Sequence, residues 1–183
     1  MKLQIIGRDG NFGSFLSELL KDRFEICESA DTVILAVPFS AYDEVGRNNK
    51  DKHLINVCST QLLSTEILTK HSQYVTSIHP LFGRRTPADK RNSILTQTCN
   101  FAAETEFLSK FGEVSKIISA YKDGEPFTPS LHDLIMAKTH VAAVQAANLL
   151  KPFVKGAEDI PDEFVPNSYR LMKQFVLTMR DTP

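Results

Sequence analysis

Gly7, Gly10 and Gly13 punctuate a segment in which a short apolar strand, Lys2 to Ile6, runs into a turn and then an amphipathic helix. The chemistry such a turn can do is anion binding. A helix that starts near Asn11 leaves its first backbone N–H groups unpaired, and these, backed by the positive end of the helix dipole, attract a pyrophosphate. Glycine suits the turn because the backbone must bend sharply, approach the phosphates closely and pack helix on strand with no Cβ in the way. The spacing is G-x-x-G-x-x-G, one residue longer between the first pair than the usual dinucleotide fingerprint, so context has to support it. Phe12, Phe15, Leu16, Leu19 and Leu20 recur at helical spacing and give one apolar face to lie on a sheet. Glu28 follows Gly7 by about the 20 residues at which a carboxylate meets the adenine ribose in such units, which favours NAD. Arg8, inside the turn, is the group that would instead pair with the 2′-phosphate of NADP. The plain alternative is a tight β-α turn whose glycines serve packing alone.

The elements that must position this turn follow in alternation. Phe24 to Glu28 reads as a second strand, and Thr32 to Val37 as a continuous apolar run ending at Pro38, suited to a strand covered on both faces. Only Ser29 to Asp31 separate these two runs, whereas a crossover between parallel neighbours needs about a dozen residues. The nucleotide half has therefore lost its third strand and helix, or the two runs are placed differently. Helices are expected over Ser40 to Arg47, Leu62 to His71 and Glu104 to Phe111. Strands are expected over Leu54 to Val57, Tyr74 to Ile78, Ile94 to Gln97 and Lys116 to Ala120. This order predicts an α/β fold, an abbreviated Rossmann-type, doubly wound and mostly parallel sheet, over 1–122. A small all-helical segment follows over 123–183, with a long alanine-rich helix from Leu131 to Val154 broken near Pro152 and Gly156. An acidic, proline-bearing connector (156–166) leads to a last helix, Tyr169 to Met179, in which Tyr169 and Phe175 are expected in the core. Ala142, Ala143, Ala146 and Ala147 allow close helix approach, so this segment is expected to dock on the nucleotide domain and on a second copy.

Composition excludes several classes. The 183 residues are 42% hydrophobic and 23% charged, as in ordinary globular chains. Lys and Arg total 21 against 22 Asp and Glu, leaving no basic excess for a nucleic-acid backbone. No apolar run approaches the roughly 20 residues that span a bilayer, and a cytoplasmic protein is expected. Cys27, Cys58 and Cys99 are odd in number and widely spaced, which argues for reduced, near-core thiols and against a disulfide framework or a metal site.

Six strings, in this order, resemble the prephenate and arogenate dehydrogenases of tyrosine biosynthesis: Ile5 to Gly13, Ala30 to Pro38, Val57 to Gln61, His79 to Gly83, His132-Asp133 with the alanine-rich helix, and Ser168 to Leu171. The resemblance implies oxidative decarboxylation of prephenate or arogenate with NAD or NADP, in a homodimer formed through the C-terminal helices. It implies cofactor contacts from Gly7, Arg8, Asp9, Gly10, Asn11, Phe12, Gly13, Glu28, Val37 and Pro38. His79 matches the family's catalytic histidine, a neutral imidazole able to take the hydroxyl proton. Ser59 matches the serine that orients it, although taken alone Ser59 reads as a helix N-cap. Arg170 matches the guanidinium that clamps the retained carboxylate through two parallel hydrogen bonds. His132 matches a histidine that opens the second domain and faces the substrate. His140 follows it by eight residues where the family usually has about twelve, which rotates it by about 40° on a helix. Arg84 and Arg85 are read as a solvated loop pair that could meet an anionic substrate. The chain is shorter than the family usually is, and Gln61 stands where a lysine is common. The competing readings are a β-hydroxyacid-type dehydrogenase for another small acid, and a non-catalytic nucleotide-binding module.

Overall fold

The computed structural model describes residues 1–156, 160–161 and 164–180. Part of the acidic connector expected over 156–166 lies outside them. Seven strands form one sheet: β1 (Lys2–Ile6), β2 (Glu25–Ile26), β3 (Thr32–Leu35), β4 (His53–Asn56), β5 (Val75–Pro80), β6 (Asn92–Gln97) and β7 (Lys116–Ile118). Their spatial order is β2-β1-β3-β4-β5-β6-β7. Every neighbouring pair is parallel except β5 with β6, which run antiparallel with His79 opposite Ile94. Among the described residues β2 is the sheet edge, so the third strand of the usual 3-2-1-4-5-6 nucleotide fold is missing. The short Ser29 to Asp31 link is possible because β2 and β3 are not neighbours. They flank β1 on opposite sides.

Helices α1 (Asn11–Leu20), α2 (Tyr42–Asn48), α3 (Gln61–Thr69) and α4 (Glu104–Gly112) cover the sheet. Strand periodicity divides the core between its two faces. Ile34, Ile55 and Ile78 point to the side of Phe15, Leu16, Leu20, Phe107 and Phe111. Val33, Leu35, Leu54 and Val75 point to the side of Tyr42 and Leu68. These strands therefore read as unbroken apolar runs, because both faces are buried.

Two compact units are distinguished, Met1–Asp133 and a second that begins at Leu134. The helical stretch predicted from Leu131 is three pieces, α5 (Pro129–Met136), a π turn (Ala137–Val141) and α6 (Ala142–Lys155), and α7 (Asn167–Arg180) follows. No break occurs at Pro152. α6 runs through it to Lys155, and the Gly156 amide donates to Pro152 O at 2.9 Å. Within the second unit, burial of Ala147 and Val154 on α6 and Val176 on α7 offsets the hydrogen bond that the proline removes. Phe175, expected in the core, is half-buried, as is Tyr169, whose hydroxyl donates to Val154 O at 3.0 Å. Leu149 and Phe153, one turn apart on α6, stay 75% and 67% exposed.

Candidate active site

The carboxyl ends of parallel β1, β3, β4 and β5 share one edge of the sheet, and ligands of open α/β sheets bind outside that edge, where the strand order reverses. Here the reversal falls between β1 and β3. Gly7 ends β1 with φ +87°, and a Cβ there would lie 2.2 Å from Ala36 O at the end of β3. A Cβ on Gly13 would lie 2.0 Å from Gly7 O, so the first turn of α1 rests directly on the backbone of the glycine turn. Gly10, in extended conformation, caps α1, and its amide donates to Gly7 O at 3.0 Å. No acidic residue occupies the first turn of α1 to neutralise its dipole. Arg8, Asp9, Gly10, Asn11 and Pro38 are exposed, and Phe12 and Val37 half-buried. These features fit a dinucleotide pyrophosphate. Arg8 and Glu28, the two residues with opposite implications for the ribose, form an exposed ion pair at 3.6 Å.

Three strand spacings along the same edge, about 14 Å from the turn, His79 is the penultimate residue of β5. Its Nδ1 lies 2.9 Å from Nε2 of His132. His132, with no exposed surface, places Nδ1 2.8 Å from Asp133 Oδ1. The Asp133 carboxylate in turn accepts the backbone N–H of Gln61 at 2.8 Å and of Leu62 at 2.9 Å, the first amides of α3. The proton positions follow from this chain. An ionised carboxylate only accepts, so His132 Nδ1 donates to it. Burial holds the His132 pKa below its ordinary value, against the pull of Asp133, so the ring is neutral and its Nε2 accepts. His79 Nδ1 is then the donor, so that in the neutral form of the His79 ring the lone pair lies on Nε2. That is the state a general base needs, held by the same logic by which a carboxylate fixes a histidine tautomer in a hydrolase triad.

The sequence reading offered Ser59 as a cap for the helix that follows it. The structure makes Thr60 the cap residue, with no side-chain cap bond, and Asp133 supplies the capping oxygens from far along the chain. Ser59 is exposed in the loop leaving β4. That loop is held by Asn56, whose Oδ1 accepts from Cys58 N at 3.0 Å and whose Nδ2 reaches Ser64, Thr65 and Ser77. Gln61 is buried, donates to Cys58 O, and accepts from Thr96 at 2.7 Å. Asp133 was not singled out from the sequence. The signal available was its adjacency to His132 in one of the matching strings. Arg84 leaves the loop after β5 for α1, donating to Ser14 Oγ at 3.3 Å with its guanidinium over Phe15. His140, in the π turn, and Arg170, exposed on α7, belong to the second unit.

No protein-family model and no curated protein matches the chain. Solved structures do. A provisionally assigned prephenate dehydrogenase from Corynebacterium glutamicum superposes with TM-score 0.60 at 12% identity, over 94% of this chain and 62% of that one. Synechocystis arogenate dehydrogenase gives 0.58 at 13% identity, over 100% and 84%. Plasmodium falciparum pyrroline carboxylate reductase, whose structure holds NADP, gives 0.57 at 15% identity, over 98% and 76%. The chain thus spans 62% of the length of the first of these. At such identities the likeness shows the fold alone, a Rossmann-type α/β fold shared with these dehydrogenases and this reductase.

Proposed function

We propose that the chain is an NAD(P)-dependent oxidoreductase that oxidises prephenate or arogenate, with loss of carbon dioxide. The observation that carries the reading is the Asp133–His132–His79 relay on the same sheet edge as the glycine turn. A bound nicotinamide would supply the hydride acceptor for the ring carbon that bears the hydroxyl. His79 Nε2 takes the hydroxyl proton as the carbonyl forms, and the electron pair of the departing carboxylate moves into the ring. His132 and Asp133 are positioning residues that hold the His79 tautomer. Ser59, by resemblance, hydrogen-bonds the same hydroxyl.

The amides of Asn11, Phe12 and Gly13 would hold the pyrophosphate, and Glu28 would accept from the ribose 2′-hydroxyl, which makes NAD the proposed cofactor. The resemblance gives Arg170 the retained carboxylate, with His140 as a further substrate contact. Arg170→Gln is then expected to weaken substrate affinity by about 2–4 kcal/mol. The deciding experiment follows nicotinamide reduction by purified protein with prephenate and arogenate, each with NAD and NADP. Turnover of neither substrate with either cofactor would overturn the reading. We also propose a homodimer through the C-terminal helices, supported by exposed Leu149, Phe153 and Leu171, the last 58% exposed. Light scattering that reports a monomer would refute it.

A further inference from the structure

At the amino end of the sheet, opposite Gly7 and His79, lies a second polar cluster that the proposed reaction does not use. His53 opens β4, Thr32 opens β3, Thr76 is second in β5, Cys99 lies in the link after β6, and Glu104 opens α4. His53 and Thr76 have no exposed surface, and Glu104 is 7% exposed. The hub is the Thr76 hydroxyl. Its Oγ1 is 2.8 Å from His53 Nε2 and 3.5 Å from Cys99 Sγ, and it donates to Glu104 Oε1. Glu104 Oε1 also accepts from the Cys99 amide at 2.8 Å. One nitrogen, one sulfur and one carboxylate oxygen thus lie within 4.8 Å of one another. Phe101 covers the imidazole at 4.8 Å between centroids, and Phe107 closes its edge at 6.4 Å.

We propose that His53, Cys99 and Glu104 bind a divalent transition-metal ion of the zinc class, with Thr76 Oγ1 as its fourth neighbour. A thiolate, an imidazole and a carboxylate make a donor set that zinc takes and that magnesium or calcium does not. Charge points the same way. Glu104 is a buried carboxylate that pairs with no lysine or arginine among the described residues, and the N-terminus of α4 supplies only a partial positive charge. A dication bound by one thiolate and one carboxylate closes the balance at zero. Burial pushes the His53 pKa down to about 4, so the ring is in its ligating, neutral form. With a metal on Nε2 the ring proton sits on Nδ1, which faces Thr32 Oγ1 at 3.4 Å, the kind of outer partner that metal-bound imidazoles use. The entering cation displaces the Cys99 thiol proton to solvent. Metal bonds of about 2.0–2.3 Å in a tetrahedron set neighbouring donors about 3.5 Å apart, so the widest pair must close by about 1 Å.

The test uses the full chain, reduced and stripped with chelator, then titrated with cobalt(II) and back-titrated with zinc(II). The expected result is a thiolate-to-cobalt charge-transfer band that saturates at one equivalent and is bleached by zinc. Cys99→Ser abolishes the band, while Cys27→Ser and Cys58→Ser retain it. Glu104→Gln weakens zinc binding about tenfold or more, and zinc raises the melting temperature of the native chain but not of Cys99→Ser. Absence of the band, or its survival in Cys99→Ser, overturns the site and leaves Thr32, His53, Thr76 and Glu104 as a hydrogen-bonded core chain complete without a metal. If Glu104→Gln does not fold, the cysteine series alone decides.

Discussion

His132, beside the carboxyl end of β5, and His53, at the amino end of β4, are both fully buried imidazoles, yet they are bonded to different things. His132 stands between an ionised carboxylate tied to a helix N-terminus and a second, half-buried histidine. His53 has hydroxyls on both nitrogens and the rings of Phe101 and Phe107 packed around it. Burial lowers the proton affinity of both, but only at His132 does a neighbouring carboxylate push the other way. Sealing an imidazole from water does not make it reaction machinery. What sets His132 apart is a charge anchor on one side and a line to the half-buried His79 on the other.

The largest effect that would separate the two ends is expected from His79→Asn. Turnover should fall by about 10²-fold or more, equivalent to about 3 kcal/mol, with the melting temperature and cofactor affinity nearly unchanged. Equal turnover would remove His79 from the mechanism. Thr76→Val at the amino end should do the reverse. It strips His53 and Glu104 of a shared buried partner and should lower unfolding stability in urea by about 1–3 kcal/mol, with kcat unaltered. A change in kcat would mean that the two ends are coupled. Next comes Asp133→Asn, expected to lower kcat about tenfold and, because Asp133 raises the proton affinity of His132, to shift the acid limb of the pH profile to lower pH. An unmoved limb would reduce Asp133 to a helix cap.

The smallest expected effect is on acid stability in the metal-free protein. Both rings have folded pKa values below the unfolded 6.5, so the unfolded chain binds the extra protons and stability falls as pH drops below about 6.5, down to about 4 for His53. His53→Gln should flatten that loss more than His132→Gln, since no carboxylate is hydrogen-bonded to His53 itself and Glu104 reaches it only through Thr76. Denaturant midpoints at pH 7.5 and 5.5 test the ranking.

What could be read along the chain was whatever depends on near neighbours. The apolar run Thr32 to Leu35, the helical face of Phe15, Leu16 and Leu20, and the glycine turn each carry their own periodicity or backbone demand, and the sheet and helices match them. Pro152 misled because a local rule gave way to packing between α6 and α7. Cys99 carries no metal-ligand spacing along the chain that reaches His53, because His53 comes from a different strand and only Glu104, at a helix start, is near it in sequence.

The sequence by itself determined an abbreviated α/β sheet with a glycine turn at the start of its first helix, since alternation, glycine positions and helix faces are local and survive without knowledge of strand order. Only the tertiary structure decided that Asp133 caps α3, that His132 reaches His79, and that a thiol, an imidazole and a carboxylate meet at Thr76. Gln61 with Asp133, His79 with His132, and His53 with Thr76 each join groups more than 20 residues apart, and their proximity follows from strand pairing and long-range burial, which no local pattern encodes.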